Sequence, residues 1–202
     1  KLDEQVGEII NQLKEDGLYE NTEIFFFSDH GGPFPRYKRS IYDSGLKCPL
    51  IIKWTETRNE PRNNQMISFI DLAPTILELT KSDKNHKMEG VSFYNQNNRD
   101  YIFAATDRFD EHTDKRRCVR NKKFKLIINC DTNSSIMKPV LYRQNMKTMR
   151  ILDSLNDLKQ NTISMESWYK KTKPKYELYD IVNDPYELNN LYTNKDYDSI
   201  FY

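Results

Sequence analysis

An aspartate, a histidine and two glycines follow the apolar run Ile24 to Phe27, as Ser28-Asp29-His30-Gly31-Gly32, and Lys38 comes nine residues after Asp29. A carboxylate offers hard oxygen to a divalent cation and an imidazole offers nitrogen, while paired glycines let a loop or ligand approach the backbone closely. Pro33 and Pro35 make the next loop compact, and a lysine carried back to the strand end would set an ammonium against an anion that the metal also holds. Taken singly, Asp29 and His30 make an ordinary turn, because Asp and Gly favour turns on their own account. Arg36, Lys38 and Arg39 taken singly make a solvated loop. Together they point to a metal and anion pocket.

Such a pocket needs rigid elements behind it. Leu2, Val6, Ile9, Ile10 and Leu13 recur at helical spacing, and Gly17 stands where a left-handed cap would end the helix. Ile24 to Phe27 and "PLIIKW" (Pro49 to Trp54) are continuous apolar runs, the pattern of strands covered on both faces. Helix followed by buried strand predicts a mostly parallel α/β sheet, whose strand ends are where ligands gather. "SFIDLAPTILELTK" predicts a helix with Asp71 as cap, Pro74 in the first turn, and Phe69, Leu72, Ile76 and Leu79 as its apolar face.

The texture changes near residues 95–100, giving two expected domains, 1–98 and 99–202. In the second, Tyr101 to Ala105, Phe124 to Asn129 and an edge strand at Tyr176 to Ile181 predict a small antiparallel sheet, with a short helix over Met149 to Leu158. The chain has 202 residues with 31 basic against 30 acidic, so no global field marks a nucleic-acid or membrane-surface partner. No apolar run reaches membrane-spanning length. Cys48, Cys118 and Cys130 lie far apart without a CxxC pair, which suggests neither a zinc site nor a disulfide framework. The start, Lys1-Leu2-Asp3-Glu4, has no signal-peptide layout and reads as the middle of a longer chain.

Four pieces in order, "FFFSDHGG", "YKRSIYDSGLKCPLIIKW", "FIDLAPTILEL" and "KYELYDIVNDPYELNNLY", resemble the C-terminal half of the type I, formylglycine-dependent sulfatases of the alkaline-phosphatase-like superfamily. "YIFAATDRFDEHTDKRRCVRNKKFKLI" further resembles the heparan N-sulfatase branch. The resemblance implies an α/β fold, a sulfated glycan of the heparan type as substrate, and a periplasmic, secreted or lysosomal location. It implies that Asp29 ligates the active-site calcium, with His30 at the adjoining ligand position. The family usually has Asn there, so manganese or zinc stay open beside calcium. Lys38 matches the basic residue that contacts the sulfate and would neutralise charge on its oxygens during attack.

The family's nucleophile is a Cys or Ser in a Cys/Ser-x-Pro-x-Arg motif, converted to formylglycine, and no such motif occurs in this sequence. The resemblance therefore places the nucleophile and a further pair of metal-binding aspartates in a segment upstream, with these residues alone inactive. Asp107 and Arg108, following a strand directly, divide evenly between a substrate rim and a charged hairpin facing water. Lys122, Lys123 and Lys125 are expected to face water, as are His112 in its loop and His86. Two alternatives stand beside the sulfatase reading: a phosphonate or phosphate monoester hydrolase of the same superfamily, and a noncatalytic sulfated-glycan-binding relative.

Overall fold

A computed structural model describes residues 1–56, 65–82, 87–95 and 99–201. His86 and the middle of the expected domain boundary, residues 96–98, lie outside the described residues. The chain forms two compact units, Lys1–Asp29 with Cys48–Asn63, and His30–Lys47 with Asn64–Tyr202.

The first unit opens with helix α1, Leu2–Glu15, which carries Asp3 and Glu4 in its first turn and Lys14 in its last, each favourable to the helix dipole. Gly17 ends it at φ 69°. Its N–H donates to Lys14 O at 3.1 Å and that of Leu18 to Leu13 O at 2.9 Å, the paired closure of a Schellman cap that the sequence predicted. Strands β1, Ile24–Phe27, and β2, Leu50–Lys53, pair antiparallel, with Ile24 opposite Lys53 and Phe27 opposite Leu50. The α/β class holds, but the parallel arrangement expected for these two runs is not what they adopt. Parallel neighbours need a crossover, usually a helix, and the only helix between these strands is the single turn α2, Asp43–Leu46. Nor is the pair covered on both faces, since Phe27 and Ile51 are exposed. The Lys53 ammonium closes the pair by donating to Tyr19 O at 2.6 Å and Thr22 O at 3.2 Å.

In the second unit, Ser68 N donates to the Asp71 carboxylate at 2.9 Å, and Asp71 also accepts from Val91 N at 2.9 Å, fixing the entry to α3, Leu72–Leu79. This helix buries Pro74 and Thr75; of the apolar face expected, Leu72 and Leu79 are half-buried while Phe69 and Ile76 are exposed. The predicted antiparallel sheet is present, in the order β3-β4-β5-β6: Ile102–Phe109, His112–Arg120, Phe124–Asn129 and Tyr176–Asp180. A two-residue turn joins β3 to β4, with Asp110 at φ 53°, the positive φ that tight hairpins favour. Asn121 Oδ1 accepts from the N–H groups of Lys123 and Phe124, at 2.8 and 2.6 Å, and so folds the β4–β5 turn. Short helices α4, Leu141–Gln144, α5, Lys147–Asp157, and α6, Ile163–Tyr169, follow β5. The core gathers Ile41, Tyr42, Cys118, Ile127, Ile136, Trp168, Tyr179 and Ile181.

The covered face of this sheet is unusually polar. In β4, Asp114, Arg116 and Cys118 point inward; in β5, Lys125, Ile127 and Asn129 do so. Register sets Arg116 opposite Asn129, Cys118 opposite Ile127, and Arg120 opposite Lys125. The expectation that Lys125 faces water is therefore wrong. Two-residue periodicity with Ile127 turns it inward, where it is 0% exposed and pairs with Asp43 at 2.9 Å and Glu187 at 2.8 Å. Truncating one member of such a buried set leaves the others uncompensated. Lys125→Ala should lower the unfolding free energy in chemical denaturation by about 3–5 kcal/mol. Lys123→Ala, two residues away, should change it by less than about 0.5 kcal/mol.

Candidate functional site

Lys38 lies in the loop of residues 30–47, which belongs to the second unit together with the β3–β6 sheet. Two glycines let the loop fold on itself. A Cβ on Gly31 would sit 2.0 Å from Ser44 O, and one on Gly45 would sit 2.3 Å from Ser40 O, so neither position takes a side chain. Gly31 N donates to Gly45 O at 3.0 Å, closing the neck of the loop. At its tip, Lys38 N donates to Gly32 O at 3.0 Å and Lys38 O accepts from Arg143 Nη2 at 2.9 Å. Arg36 and Arg39, on either side of Lys38, hold φ of 62° and 69°. For residues with a Cβ, left-handed backbone costs about 1–2 kcal/mol each, and it persists where the surroundings over-determine it.

Those surroundings are the polar sheet face. Arg36 donates to the carbonyls of Tyr186 and Glu187, and its guanidinium lies 3.9 Å from the centre of the Tyr42 ring. Arg39 Nε binds Asp110 of the β3–β4 turn at 2.7 Å. Tyr42 is fully buried and donates to Glu177 Oε2 at 2.6 Å; Tyr179 donates to the same oxygen at 2.6 Å. Asn129 Nδ2 at 2.6 Å and Arg116 Nη2 at 3.2 Å serve Glu177 Oε1. Asp43 takes a two-pronged contact from Arg120, at 3.1 and 3.0 Å, and one from Lys125 at 2.9 Å.

The protonation states follow. Burial, opposed by Arg116, pushes the Tyr42 hydroxyl up to about 12, so it stays a donor. Burial pushes the Glu177 carboxyl up, but the Arg116 charge and the bonds from Tyr179, Tyr42 and Asn129 outweigh it and hold it below the ordinary value. Asp43 is likewise lowered, because Lys125 and Arg120 overcome burial. Glu187 is raised despite its Lys125 contact: burial dominates, and the neighbouring Asp43 carboxylate repels its charge.

The remaining candidates sit as follows. Asp29 is exposed at the end of the first unit, and its charge adds to burial in raising the Cys48 thiol. His30 opens the second unit, half-buried, with Nδ1 2.7 Å from Gly31 O. Because a carbonyl only accepts, Nδ1 is the donor in this contact, and Nε2 is the ring atom that would meet a metal. One oxygen donor and one nitrogen donor fit part of a cation's shell. Among the described residues no three His, Cys, Asp or Glu side chains gather as a complete cradle. Asp107 pairs with Arg117 at 2.8 Å, both well exposed, and Arg108 is exposed beside the register shift in β3. His112 is half-buried at the start of β4, with Nε2 3.3 Å from Pro139 O. Sequence reasoning named Lys38 but missed Tyr42, Arg116, Glu177 and Arg143 behind it. The one available signal was "YELYD", whose inward Glu177 alternates with Leu178.

A sequence profile of the Sulfatase family matches residues 1–82. The chain is 45% identical over 202 residues to an ulvan-active sulfatase of Formosa agariphila, covering 98% of this chain and 34% of that protein. It is 25% identical over 217 residues to the human N-sulphoglucosamine sulphohydrolase, covering 96% of this chain and 42% of that protein. Its fold is similar to BT4656 in complex with D-glucosamine-2-N,6-O-disulfate, with a TM-score of 0.63 at 20% identity, covering 98% of this chain and 35% of that one. It is also similar to the phosphonate monoester hydrolase of Agrobacterium radiobacter, with a TM-score of 0.63 at 18% identity, covering 98% and 36%. The chain belongs to the sulfatase family. It spans about a third of the length of the ulvan-active relative. Among the described residues no helix is long and apolar enough to cross a membrane.

Acid should loosen the Lys38 loop. Asp43 and Glu177 have folded values below their ordinary 3.8 and 4.5, so their stabilisation is present above those values and lost as pH falls through the lowered ones. Glu187, raised, acts in the opposite sense and is weakest above 4.5. Denaturant midpoints measured from pH 6 to pH 2 should fall steeply below about pH 4.5. In Glu177→Gln that slope should be shallower and the neutral-pH stability lower.

Proposed function

We propose that the intact protein hydrolyses sulfate esters on a sulfated polysaccharide, with Lys38 binding the sulfate and Asp29 and His30 contributing to a divalent metal site. The carrying observation is the 45% identity across 98% of the chain to an ulvan-active sulfatase, which favours a ulvan-type saccharide as substrate. The heparan-type reading, an N-sulfated glucosamine, draws support from the human N-sulphoglucosamine sulphohydrolase at 25% identity.

Within this chain, the loop of residues 30–47 holds the Lys38 backbone by hydrogen bonds at both its N–H and its carbonyl. An ammonium on so fixed a backbone can neutralise charge that develops on sulfate oxygens without costly reorganisation. Asp29 offers an oxygen ligand and His30 Nε2 a nitrogen ligand. A bound cation, calcium in the family pattern, would add the positive charge that polarises the sulfate. Asp107 and Arg108, just before the Asp110 that holds Arg39, would form the rim that meets the sugar. The Cys/Ser-x-Pro-x-Arg motif that would give the formylglycine nucleophile is absent from these 202 residues, and it would come from a segment outside them.

The test compares sulfate release by the intact protein from ulvan oligosaccharides and from N-sulfoglucosamine, with turnover of an aryl phosphonate as the third arm. Ulvan oligosaccharides should be the best substrate, and Lys38→Ala should lower kcat/KM by about 10²–10³-fold. Faster phosphonate turnover would overturn the sulfatase assignment, and measurable turnover by residues 1–202 alone would refute an external nucleophile.

A further inference from the structure

Arg143 in α4 is 4% exposed, and among the described residues it forms no ion pair with a carboxylate. Its guanidinium lies 4.7 Å from the centre of the Phe109 ring and donates from Nη2 to Lys38 O at 2.9 Å. Burial, and then the charge of Arg39, pull it below the ordinary value for an arginine. A covered cation whose acceptor is a neutral backbone carbonyl is a costly way to fill an interior position. Departures of this kind gather at functional positions, where the rest of the fold offsets them.

The carbonyl that Arg143 grips lies in strained backbone. Lys38 stands between the left-handed residues Arg36 and Arg39, a conformation that persists only where the surroundings hold it. Consecutive residues of α4 meet consecutive residues of the loop: Arg143 takes the Lys38 carbonyl, and the Arg39 guanidinium lies 5.2 Å from the centre of the Tyr142 ring. Helix α4 is itself moored to the β3–β4 turn, because Leu141 N donates to Glu111 Oε1 at 2.9 Å. Glu111 adjoins Asp110, whose carboxylate binds Arg39 at 2.7 Å. Short helix and hairpin, tied to each other, thus grip residues 38 and 39 together. The basic side chains of the loop divide accordingly. Arg36 and Arg39 are engaged by protein partners, while the Lys38 ammonium has none among the described residues.

We propose that Arg143 is a positioning residue for the reaction: it acts through the Lys38 carbonyl to set the backbone from which the Lys38 ammonium reaches the sulfate. This rests on the reading of Lys38 as the sulfate-binding group, and it gives that lysine a dedicated support far away in the chain. The tolerance for error is small, since a misplacement of about 1 Å in a reacting constellation can cost about 10²-fold in rate.

A double-mutant cycle in the intact protein, with sulfate release from ulvan oligosaccharides as the readout, separates positioning from general structural damage. Its members are Lys38→Ala, Arg143→Met and the two combined. Methionine keeps an unbranched chain over the Phe109 ring, and removing a charge that has no carboxylate partner leaves no buried anion behind. Arg143→Met should lower kcat by about 10- to 10²-fold while KM changes by less than about twofold. Arg143→Lys, whose ammonium can donate to the same carbonyl, should fall between that variant and the unaltered protein. In the Lys38→Ala background, Arg143→Met should cost less than about twofold, because the group it serves is gone. Equal losses in both backgrounds would overturn the proposal. Amide exchange reads the geometry without the reaction: the Lys38 N–H, bonded to Gly32 O, should exchange at least about tenfold faster in Arg143→Met, with the Ile127 N–H of β5 unchanged. An unchanged rate at Lys38 would also overturn it. Should Arg143→Met fail to fold, Arg143→Lys takes its place in the cycle and in the exchange, judged by the same outcomes. Full turnover in Lys38→Ala would refute the sulfate-binding reading and take this proposal with it. Lost turnover in Lys38→Ala with equal losses in both backgrounds would refute the positioning role alone.

Discussion

Glu177 is a buried carboxylate held by four donors at once: Tyr42, Tyr179, Asn129 and Arg116. The rest of the second unit depends on it. An ionised carboxylate in a covered position is tolerable only if its oxygens are fully served, and these donors come from three strands and from the loop of residues 30–47. Satisfying one charge therefore dictates where the loop sits. The Asp43, Arg120, Lys125 and Glu187 set repeats the arrangement four residues further along β4 and β5 on the same face. Between them the two sets make the contact of loop and sheet specific in a way that an oily contact would not be.

This explains how a strained loop can serve chemistry. Arg36 and Arg39 sit in left-handed backbone on either side of Lys38, and each is held by partners on the sheet side, the carbonyls of residues 186 and 187 and the Asp110 carboxylate. The strain is local and the compensation is distributed. Lys38 is fixed through its own backbone, by Gly32 and Arg143, and its long side chain extends from that fixed base. In the proposed role, an ammonium on so rigid a base would lose little freedom on meeting a sulfate. Arg143 braces Lys38 through its carbonyl.

Much of the fold was legible because local physics wrote it. The helix at Leu2–Glu15 ends at Gly17 as its cap chemistry requires, and the β5 and β6 spans agree with their sequence patterns to within a residue. Strand β4 was not legible. "HTDKRRCVR" alternates, but its inward residues are Asp114 and Arg116 as well as Cys118, so the usual signal of apolar residues at every second position is missing. Lys125 misled for the same reason. A charge in a sequence is taken to be wet, and only partners distant in the chain can make it dry. The pairing of β1 with β2 escaped too, because a continuous apolar run does not encode strand direction.

By itself, then, the sequence determined the residue types that can do chemistry and the family they belong to. Asp29, His30 and Lys38 are marked by their spacing after a strand, and glycines at 31 and 45 are demanded by backbone that closes on backbone. Only the tertiary structure decided what stands behind Lys38. Tyr42 meets Glu177 across 135 residues, Asp43 meets Lys125 across 82, and Arg143 meets the Lys38 carbonyl across 105. Charges pair across such separations because burial makes an unpaired one too costly to keep, and that cost is a property of the folded interior that no short stretch of sequence displays.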